Sequence, residues 1–198
     1  THICGEITTL SKLGVGVYLA TGKKFNGALL PINFHNVTHG IPLGSDSSSE
    51  DLLYSISELR QIIRTNSIDF VHIHPFTSII PGAIAAELEN IPFSITFHGP
   101  ASLAEYYGPV HDFLVKSLIL PIADLVVAVS TETEKLLLNY ADKDSIVVIP
   151  NSVNFEPLLN IETKKIELNP HWLIASRLDN FKIVGVLDFC IKAKLAGI

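Results

Sequence analysis

The chain has 198 residues, a net charge of −6 and a hydrophobic content of 47%. An acidic chain without a basic stripe argues against a nucleic-acid partner, because phosphate binding requires clustered Lys and Arg. The most apolar stretch, residues 117–129, contains Pro121 and Asp124, so we expect no transmembrane helix, and peripheral attachment to a membrane stays open. The two cysteines lie far apart, at positions 4 and 190, which is typical of reduced thiols in a cytoplasmic protein.

Apolar periodicity predicts helices and strands that alternate along the chain. In chain order, the first third predicts a helix over residues 2–13, a strand over 15–20, a weak strand over 28–34, an exposed Gly/Pro/Ser-rich loop over 37–49 and a helix over 50–65. The middle predicts a strand over 69–74, a helix over 78–89, a strand over 93–97 and a long helix from about 101 to 120. The last third predicts a strand over 125–129, a helix over 131–140, a strand over 146–150, a linker over 159–169, a strand over 171–176 and a helix over 182–196. Such alternation predicts parallel βαβ units, and therefore an α/β fold with a doubly wound, mostly parallel sheet.

The clearest unit is the strand, helix and strand within residues 123–154. Its strands, LVVAV and IVVIP, are wholly apolar and rich in β-branched residues, as in strands buried on both faces of a parallel sheet. Ser130 follows the first strand and is expected to cap the helix, with Glu132 and Glu134 in the first turn. The second strand opens into a polar loop at residues 151–154, where open α/β folds present groups to ligands.

Histidines gather on two of the predicted strands. His72 and His74 are two residues apart, so both side chains point to the same face of the sheet. His98 and Gly99 follow the next strand, at the carboxyl edge where ligands bind in open parallel sheets. A neutral imidazole can exchange hydrogen bonds with a sugar hydroxyl, and a glycine lets the backbone approach closely.

Residue chemistry alone leaves two other interpretations of these histidines open. His98 could be a strand-end histidine whose ring is satisfied by nearby backbone. Alternatively, His72, His74 and His98 could form a three-histidine zinc site, which is a known ligand set. The zinc interpretation is the weaker one, because His72 lies in mid-strand, away from the carboxyl edge.

Three blocks of the sequence resemble family 4 glycosyltransferases. ADLVVAVS and IVVIPNSVN are similar to the family's ADxVIAVS and IVVIPNGVD, with Ser152 in place of a glycine. FVHIH and FSITFHG are similar to its DVVHxH and PxVxTxHG segment, and HWLIASRLDNFKIVGVLDF to its VGRLxxxKGxxxLxxAF. The resemblance implies a GT-B architecture, in which two Rossmann-like domains face each other across a cleft.

The resemblance also implies roles for individual residues. The histidine that matches His98 lies near the reacting centre, so His98 is the expected catalytic residue, with His74 and Gly99 on the acceptor side. By its position just past this loop, Glu105 could orient acceptor hydroxyls, and its alternative is a first-turn carboxylate of the long helix. The matching residues of Arg177 and Lys182 neutralise the diphosphate of the donor, which implies that no divalent metal and no cofactor is needed. Two departures from the pattern, Ser176 and Ile183 at positions where glycine is usual, bear on how closely phosphate can approach.

The same resemblance predicts a domain layout and an activity. Residues 1–158 are expected to form an acceptor domain that lacks its first strand, 159–169 a linker, and 170–198 the first strand and helix of a truncated nucleotide-sugar domain. We expect a parent enzyme that transfers a sugar with retention from a nucleotide diphosphate to a glycan or lipid-linked acceptor, and no turnover by residues 1–198 alone. The alternatives are a non-catalytic GT-B-like binding module and another GT-B enzyme, such as a nucleotide-sugar epimerase.

Overall fold

Parallel strands connected by helices form the first of two units into which the chain divides, Thr1–Val153 and Asn154–Ile198. The computed structural model describes residues 2–23, 30, 34–44, 47–103, 108–151, 191–192 and 194–195. In the second unit the described residues are helical, and they fall within the helix predicted over 182–196. The predicted linker and the predicted strand over 171–176 lie outside the described residues.

The helices and strands of the first unit alternate as expected from position 49 onward. The helices are α1 (His2–Lys12), α2 (Ser49–Thr65), α3 (Ile79–Glu89), α4 (Pro109–Phe113) and α5 (Thr131–Leu137). The strands are β1 (Leu19–Gly22), β2 (Val37–Ile41), β3 (Val71–Ile73), β4 (Phe93–Phe97), β5 (Leu125–Ala128) and β6 (Ile146–Val148). Short 3₁₀ turns cover Pro100–Leu103, Leu120–Ile122 and Lys143–Ser145.

All strand pairs in the described part of the chain are parallel, and they form two sheets. One sheet contains β1 and β2, and the other has the order β3-β4-β5-β6. Each βαβ crossover brings the next strand alongside the previous one, which is how sequential strands of an α/β unit pair. This arrangement confirms the predicted doubly wound, Rossmann-like α/β fold.

Strand β4 lies at the centre of the hydrophobic core. Its residues Phe93, Ile95 and Phe97 are fully buried, and the neighbouring β5 contributes Val126. Helix α3 covers this sheet with Ile79 and several alanines, whose small side chains allow close packing of helix on strand. A strand buried on both faces explains why its sequence is a continuous apolar run instead of an alternating one.

Two predicted elements differ from the structure before α2. The segment over 37–49 was expected to be a loop, but Val37–Ile41 forms β2, paired in parallel with β1. The ladder and the burial of Ile41 outweigh the loop-like composition, because tertiary contacts decide strand formation more than propensity does. The strand expected over 15–20 begins only at Leu19, and the one expected over 28–34 lies mostly outside the described residues.

The long helix predicted from about 101 to 120 is also wrong, because it is interrupted. Gly108 has a φ of +86°, which no residue of a right-handed helix adopts, and α4 begins at Pro109 directly after it. Proline suits this first helical position because its missing N–H would have no partner there. Helix α4 then continues as a π-helical turn over Leu114–Ile119.

The predicted cap of α5 is confirmed. Ser130 Oγ accepts a hydrogen bond from the backbone N–H of Thr133 at 3.2 Å, and Glu132 and Glu134 lie in the first turn. Among the described helices, none combines the length and the apolarity that crossing a bilayer demands.

Candidate functional site

Two adjacent strand ends bring His74 and His98 together. His74 directly follows β3 and His98 directly follows β4, and the two parallel strands pair in register, with His72 opposite Ser94. Their carboxyl ends therefore meet at one edge of the sheet. The rings of His74 and His98 are nearly coplanar and meet edge to edge, with centroids 5.4 Å apart and planes 11° apart.

A hydrogen-bonded array runs from helix α1 to His98. His74 Nε2 lies 3.1 Å from Glu6 Oε2, and His74 Nδ1 lies 3.2 Å from His98 Nε2. A carboxylate only accepts hydrogen bonds, so in neutral rings His74 carries its proton on Nε2 and accepts through Nδ1. His98 then donates from Nε2–H, which makes its Nδ1 an acceptor nitrogen.

His72 is held by the neighbouring strand. Its Nδ1 lies 2.5 Å from Ser94 Oγ and its Nε2 lies 3.0 Å from Thr96 Oγ1, and both hydroxyl residues on β4 are buried. The second ring nitrogen also faces Glu6, whose Oε1 is 3.4 Å away. The prediction that His72 and His74 share a face is confirmed, since their ring centroids lie 4.9 Å apart.

Gly99 turns the chain away from the sheet immediately after His98. Its φ of +128° lies in the region that favours glycine, and its carbonyl accepts a hydrogen bond from Ser102 N–H at 3.0 Å. A Cβ at this position would meet no atom within 4 Å, so glycine is required here by backbone conformation and not by crowding. His98, at this turn, is exposed to solvent.

The structure brings together only part of the predicted site. His74, His98 and Gly99 lie at the same sheet edge, whereas Glu105, Arg177 and Lys182 lie outside the described residues. Sequence reasoning missed Glu6, which contacts both strand histidines. No local signal could have found it, because it lies 68 positions before His74 on a helix whose docking depends on tertiary packing.

A mainly apolar cavity of about 310 Å³ lies beside the histidines. Residues 18–21 of the β1 segment and 70–75 of the β3 segment both line it, together with apolar side chains of α2 such as Leu59 and Ile63. His72 and His74 add polar atoms to this lining. The cavity therefore combines an apolar wall with a small number of hydrogen-bonding groups, as small-molecule sites do.

The side chains of Glu6, His72 and His74 also form a group of potential metal ligands. One ligand atom from each of the three lies within 4.8 Å of the others, and all three residues are partly buried. The three-histidine zinc site that the sequence suggests contains His98 in place of Glu6. In the structure His98 contacts this group through His74.

Comparison with known proteins gives a family and a set of similar folds. The family described as Glycosyltransferase Family 4 matches residues 1–157. A glycosyltransferase from Rickettsia africae ESF-5 is 27% identical, with a TM-score of 0.57 over 78% of this chain and 40% of that one. No curated protein matches the chain.

Two nucleotide-sugar epimerases share the fold. The UDP-GlcNAc 2-epimerase from Methanocaldococcus jannaschii is 17% identical, with a TM-score of 0.56 over 72% of this chain and 40% of that one. The UDP-N-acetylglucosamine 2-epimerase from Rickettsia bellii is 14% identical, with a TM-score of 0.54 over 73% of this chain and 40% of that one. The chain thus spans about 40% of the length of these solved structures.

Proposed function

This chain belongs to glycosyltransferase family 4, and from that premise we propose that residues 1–158 form the acceptor-side domain of a retaining sugar transferase. The donor is a nucleotide-diphosphate sugar, and the acceptor is a glycan or a lipid-linked glycan. Residues 159–169 act as a linker, and residues 170–198 begin the nucleotide-sugar domain. Peripheral attachment to the cytoplasmic face of a membrane suits a lipid-linked acceptor.

The observation that carries this proposal is the array of Glu6, His74 and His98 at the carboxyl edge of the sheet. Ligands of open α/β sheets bind at this edge. The exposed His98 is oriented by His74, which is oriented in turn by Glu6. A positioned histidine backed by a second group and a third is the arrangement by which enzymes fix a reactive side chain.

His98 acts on the sugar near the reacting centre. Its ring is held by the hydrogen bond to His74, and an imidazole in this position exchanges hydrogen bonds with a hydroxyl of the bound sugar. The backbone turn at Gly99 brings main-chain atoms close to the same position. Glu105 completes the acceptor side by orienting a further hydroxyl, and His74 contributes by fixing the ring of His98.

Arg177 and Lys182 hold the diphosphate of the donor in this proposal. Transfer breaks the bond between the sugar and the diphosphate, and negative charge accumulates on the departing phosphate oxygens. Arginine offers a planar fork for two of those oxygens and lysine a mobile point charge, so the two together stabilise the leaving group without a metal ion.

Epimerisation of a nucleotide sugar is a second interpretation. It is supported by the shared fold alone, because the sequence identity of the two epimerases to this chain is below 25%. A non-catalytic binding module is the other alternative. No contact in the described residues favours either of them over transfer.

The test is an assay of the complete protein with a panel of UDP- and GDP-linked sugars and candidate acceptors. We expect acceptor-dependent release of the nucleotide, and NMR of the product should show the anomeric configuration of the donor. Inversion would contradict the retaining mechanism. Conversion of the donor to its epimer without an acceptor would replace transfer by epimerisation, and binding without any turnover would favour the binding module.

A further inference from the structure

His72 on β3 and His74 directly after it direct the same ring nitrogen, Nε2, at one carboxylate. His72 Nε2 lies 3.4 Å from Glu6 Oε1, and His74 Nε2 lies 3.1 Å from Glu6 Oε2. The rings meet edge to face, at an interplanar angle of 86°, so they approach the carboxylate from two different directions. We propose that Glu6, His72 and His74 form a binding site for a divalent transition-metal ion, with zinc as its occupant.

The distances fit the coordination shell of zinc. With zinc–nitrogen and zinc–oxygen bonds of about 2.0–2.1 Å, neighbouring ligands of a tetrahedral ion lie about 3.3 Å apart. The two histidine nitrogens lie 3.4 and 3.1 Å from the two different oxygens of Glu6, and both separations are close to that value. Rotation of the carboxylate would let one oxygen serve both, and the three ligand atoms already lie within 4.8 Å of one another.

Each imidazole is also anchored through its other nitrogen, as metal-binding histidines usually are. His72 Nδ1 is hydrogen-bonded to Ser94 Oγ, and His74 Nδ1 to His98 Nε2. These outer contacts hold the rings with Nε2 directed at Glu6. Ion binding would replace the hydrogen bond between Thr96 Oγ1 and His72 Nε2, which is a far weaker interaction than a metal–imidazole bond.

The ligand set selects the kind of metal. Two imidazole nitrogens and one carboxylate suit zinc and related transition metals, whereas calcium and magnesium prefer shells made of oxygen atoms. Three protein ligands leave a fourth coordination position, which zinc fills with water or with an oxygen atom of a bound molecule. The site also ties α1 to the β3 segment, and it shares Glu6 and His74 with the array that orients His98.

Metal binding would reverse the hydrogen bond between His74 and His98. A metal on His74 Nε2 excludes a proton there, so the neutral ring carries its proton on Nδ1 and donates it to His98 Nε2. His98 then holds its own proton on Nδ1. In the metal-free protein the hydrogen bond runs from His98 Nε2–H to His74 Nδ1. Metal binding therefore changes Nδ1 of His98 from a hydrogen-bond acceptor to a donor.

The test begins with the full chain stripped by a chelator and titrated with zinc chloride. We expect about one zinc ion per chain after gel filtration, and a tetrahedral cobalt(II) spectrum without a thiolate charge-transfer band when cobalt is the probe. Substoichiometric zinc, or a cobalt spectrum typical of the hexa-aqua ion, would overturn the proposal.

Variants identify the ligands. Glu6→Gln and His74→Gln should each weaken zinc binding by roughly 10-fold or more, and Ser94→Ala by about 10–100-fold through loss of the outer contact. Cys4→Ser and His35→Ala remove other potential ligands and should leave the affinity unchanged. If Glu6→Gln retains its far-UV circular dichroism and binds zinc as tightly as the wild type, the site is not the one proposed.

A tautomer measurement on the unmodified chain avoids dependence on variants. Nitrogen-15 NMR of the histidine side chains should show that the protons of His74 and His98 move from Nε2 to Nδ1 when zinc is added. Zinc binding that leaves both tautomers unchanged would contradict the coordination of His74. Zinc would change which ring nitrogen of His98 carries the proton, but these measurements include no assay of transfer, so this test and the test of the proposed function have separate readouts and can fail separately.

Discussion

The imidazole of His98 lies nearly coplanar with that of His74, with ring centroids 5.4 Å apart, and the two are joined by a 3.2 Å hydrogen bond. The position of His98 is therefore set by the neighbouring strand as well as by its own backbone. This double constraint is what a residue near a reacting centre requires, because misplacement by about 1 Å can lower a rate 100-fold.

Replacing His98 tests its role most directly. In the complete protein, His98→Ala should lower kcat for sugar transfer by roughly 10²–10⁴-fold, the usual contribution of a positioned proton-transfer group. Far-UV circular dichroism should be unchanged, because the side chain is exposed. The matched control is His35→Ala, at another exposed histidine. Near-normal transfer by the His98 variant would refute the assignment.

Gly82 on α3 packs against Ile73 on β3, and this contact predicts a coupled pair of substitutions. A Cβ at Gly82 would lie 3.0 Å from Ile73 Cδ1, and Ile73 is buried, so Gly82→Ala should destabilise the protein by about 1–3 kcal/mol through overpacking. Ile73→Val removes that Cδ1 atom. In urea unfolding, the double variant should lose less free energy of unfolding than the sum of the losses in the two single variants. Simple additivity would mean that the helix shifts to accommodate the methyl group.

The cap of α5 can be separated from its packing. Ser130→Ala removes the acceptor for Thr133 N–H and should lower the free energy of unfolding by about 0.5–2 kcal/mol. Ser130→Asp retains an acceptor oxygen and adds negative charge at the helix N-terminus, so it should restore most of the loss. Equal stability of the Ala and Asp variants in urea unfolding would show that the cap contributes nothing.

Glu89 makes stability depend on pH. Hydrogen bonds from Arg64 and then Arg60, each 2.6 Å long, hold the pKa of the Glu89 carboxyl below its usual value in the folded state. A lowered folded pKa means that the stabilisation is present above the unfolded pKa and is lost as the pH falls through the folded one.

Glu89→Gln should therefore flatten the stability profile in the acidic range. The expected readout is a smaller difference in urea midpoint between pH 7 and pH 3 than in the wild type. Glu87→Gln, on the exposed side of the same helix, is the control and should retain the wild-type profile. If the Glu89 variant shows the same difference in urea midpoint between the two pH values as the wild type, both ion pairs are fully screened by solvent.

Local patterns predicted what depends on neighbours in sequence. The apolar run around Val126 and the cap at Ser130 follow from a few adjacent residues, and so does the shared face of His72 and His74. Strand β2 could not be predicted, because its backbone pairs with β1 across a long connection and its own composition resembles a loop. The prediction of a continuous helix up to Leu120 was wrong because it rested on apolar spacing alone. Gly108 and Pro109 interrupt the helix in spite of that spacing.

Glu6 was missed for a different physical reason. A carboxylate on an amphipathic helix is ordinarily solvated, and nothing in its neighbours distinguishes one that docks on a distant strand. Only the tertiary packing of α1 brings it to the histidines. The donor-side residues Arg177 and Lys182 stay predictions.

The burial of β4 has a consequence for the order in which the protein opens. Each of its five residues is at most 4% exposed, so its amide hydrogens should exchange only through global unfolding. His98 follows this strand directly, whereas Glu6 lies on α1, where Ile7 is the one buried residue among the described side chains, so this helix can open in a smaller fluctuation. The histidine pair is thus attached to one of the slowest-exchanging parts of the domain and its carboxylate to a faster one, so brief excursions of α1 would release Glu6 while His74 and His98 remain hydrogen-bonded.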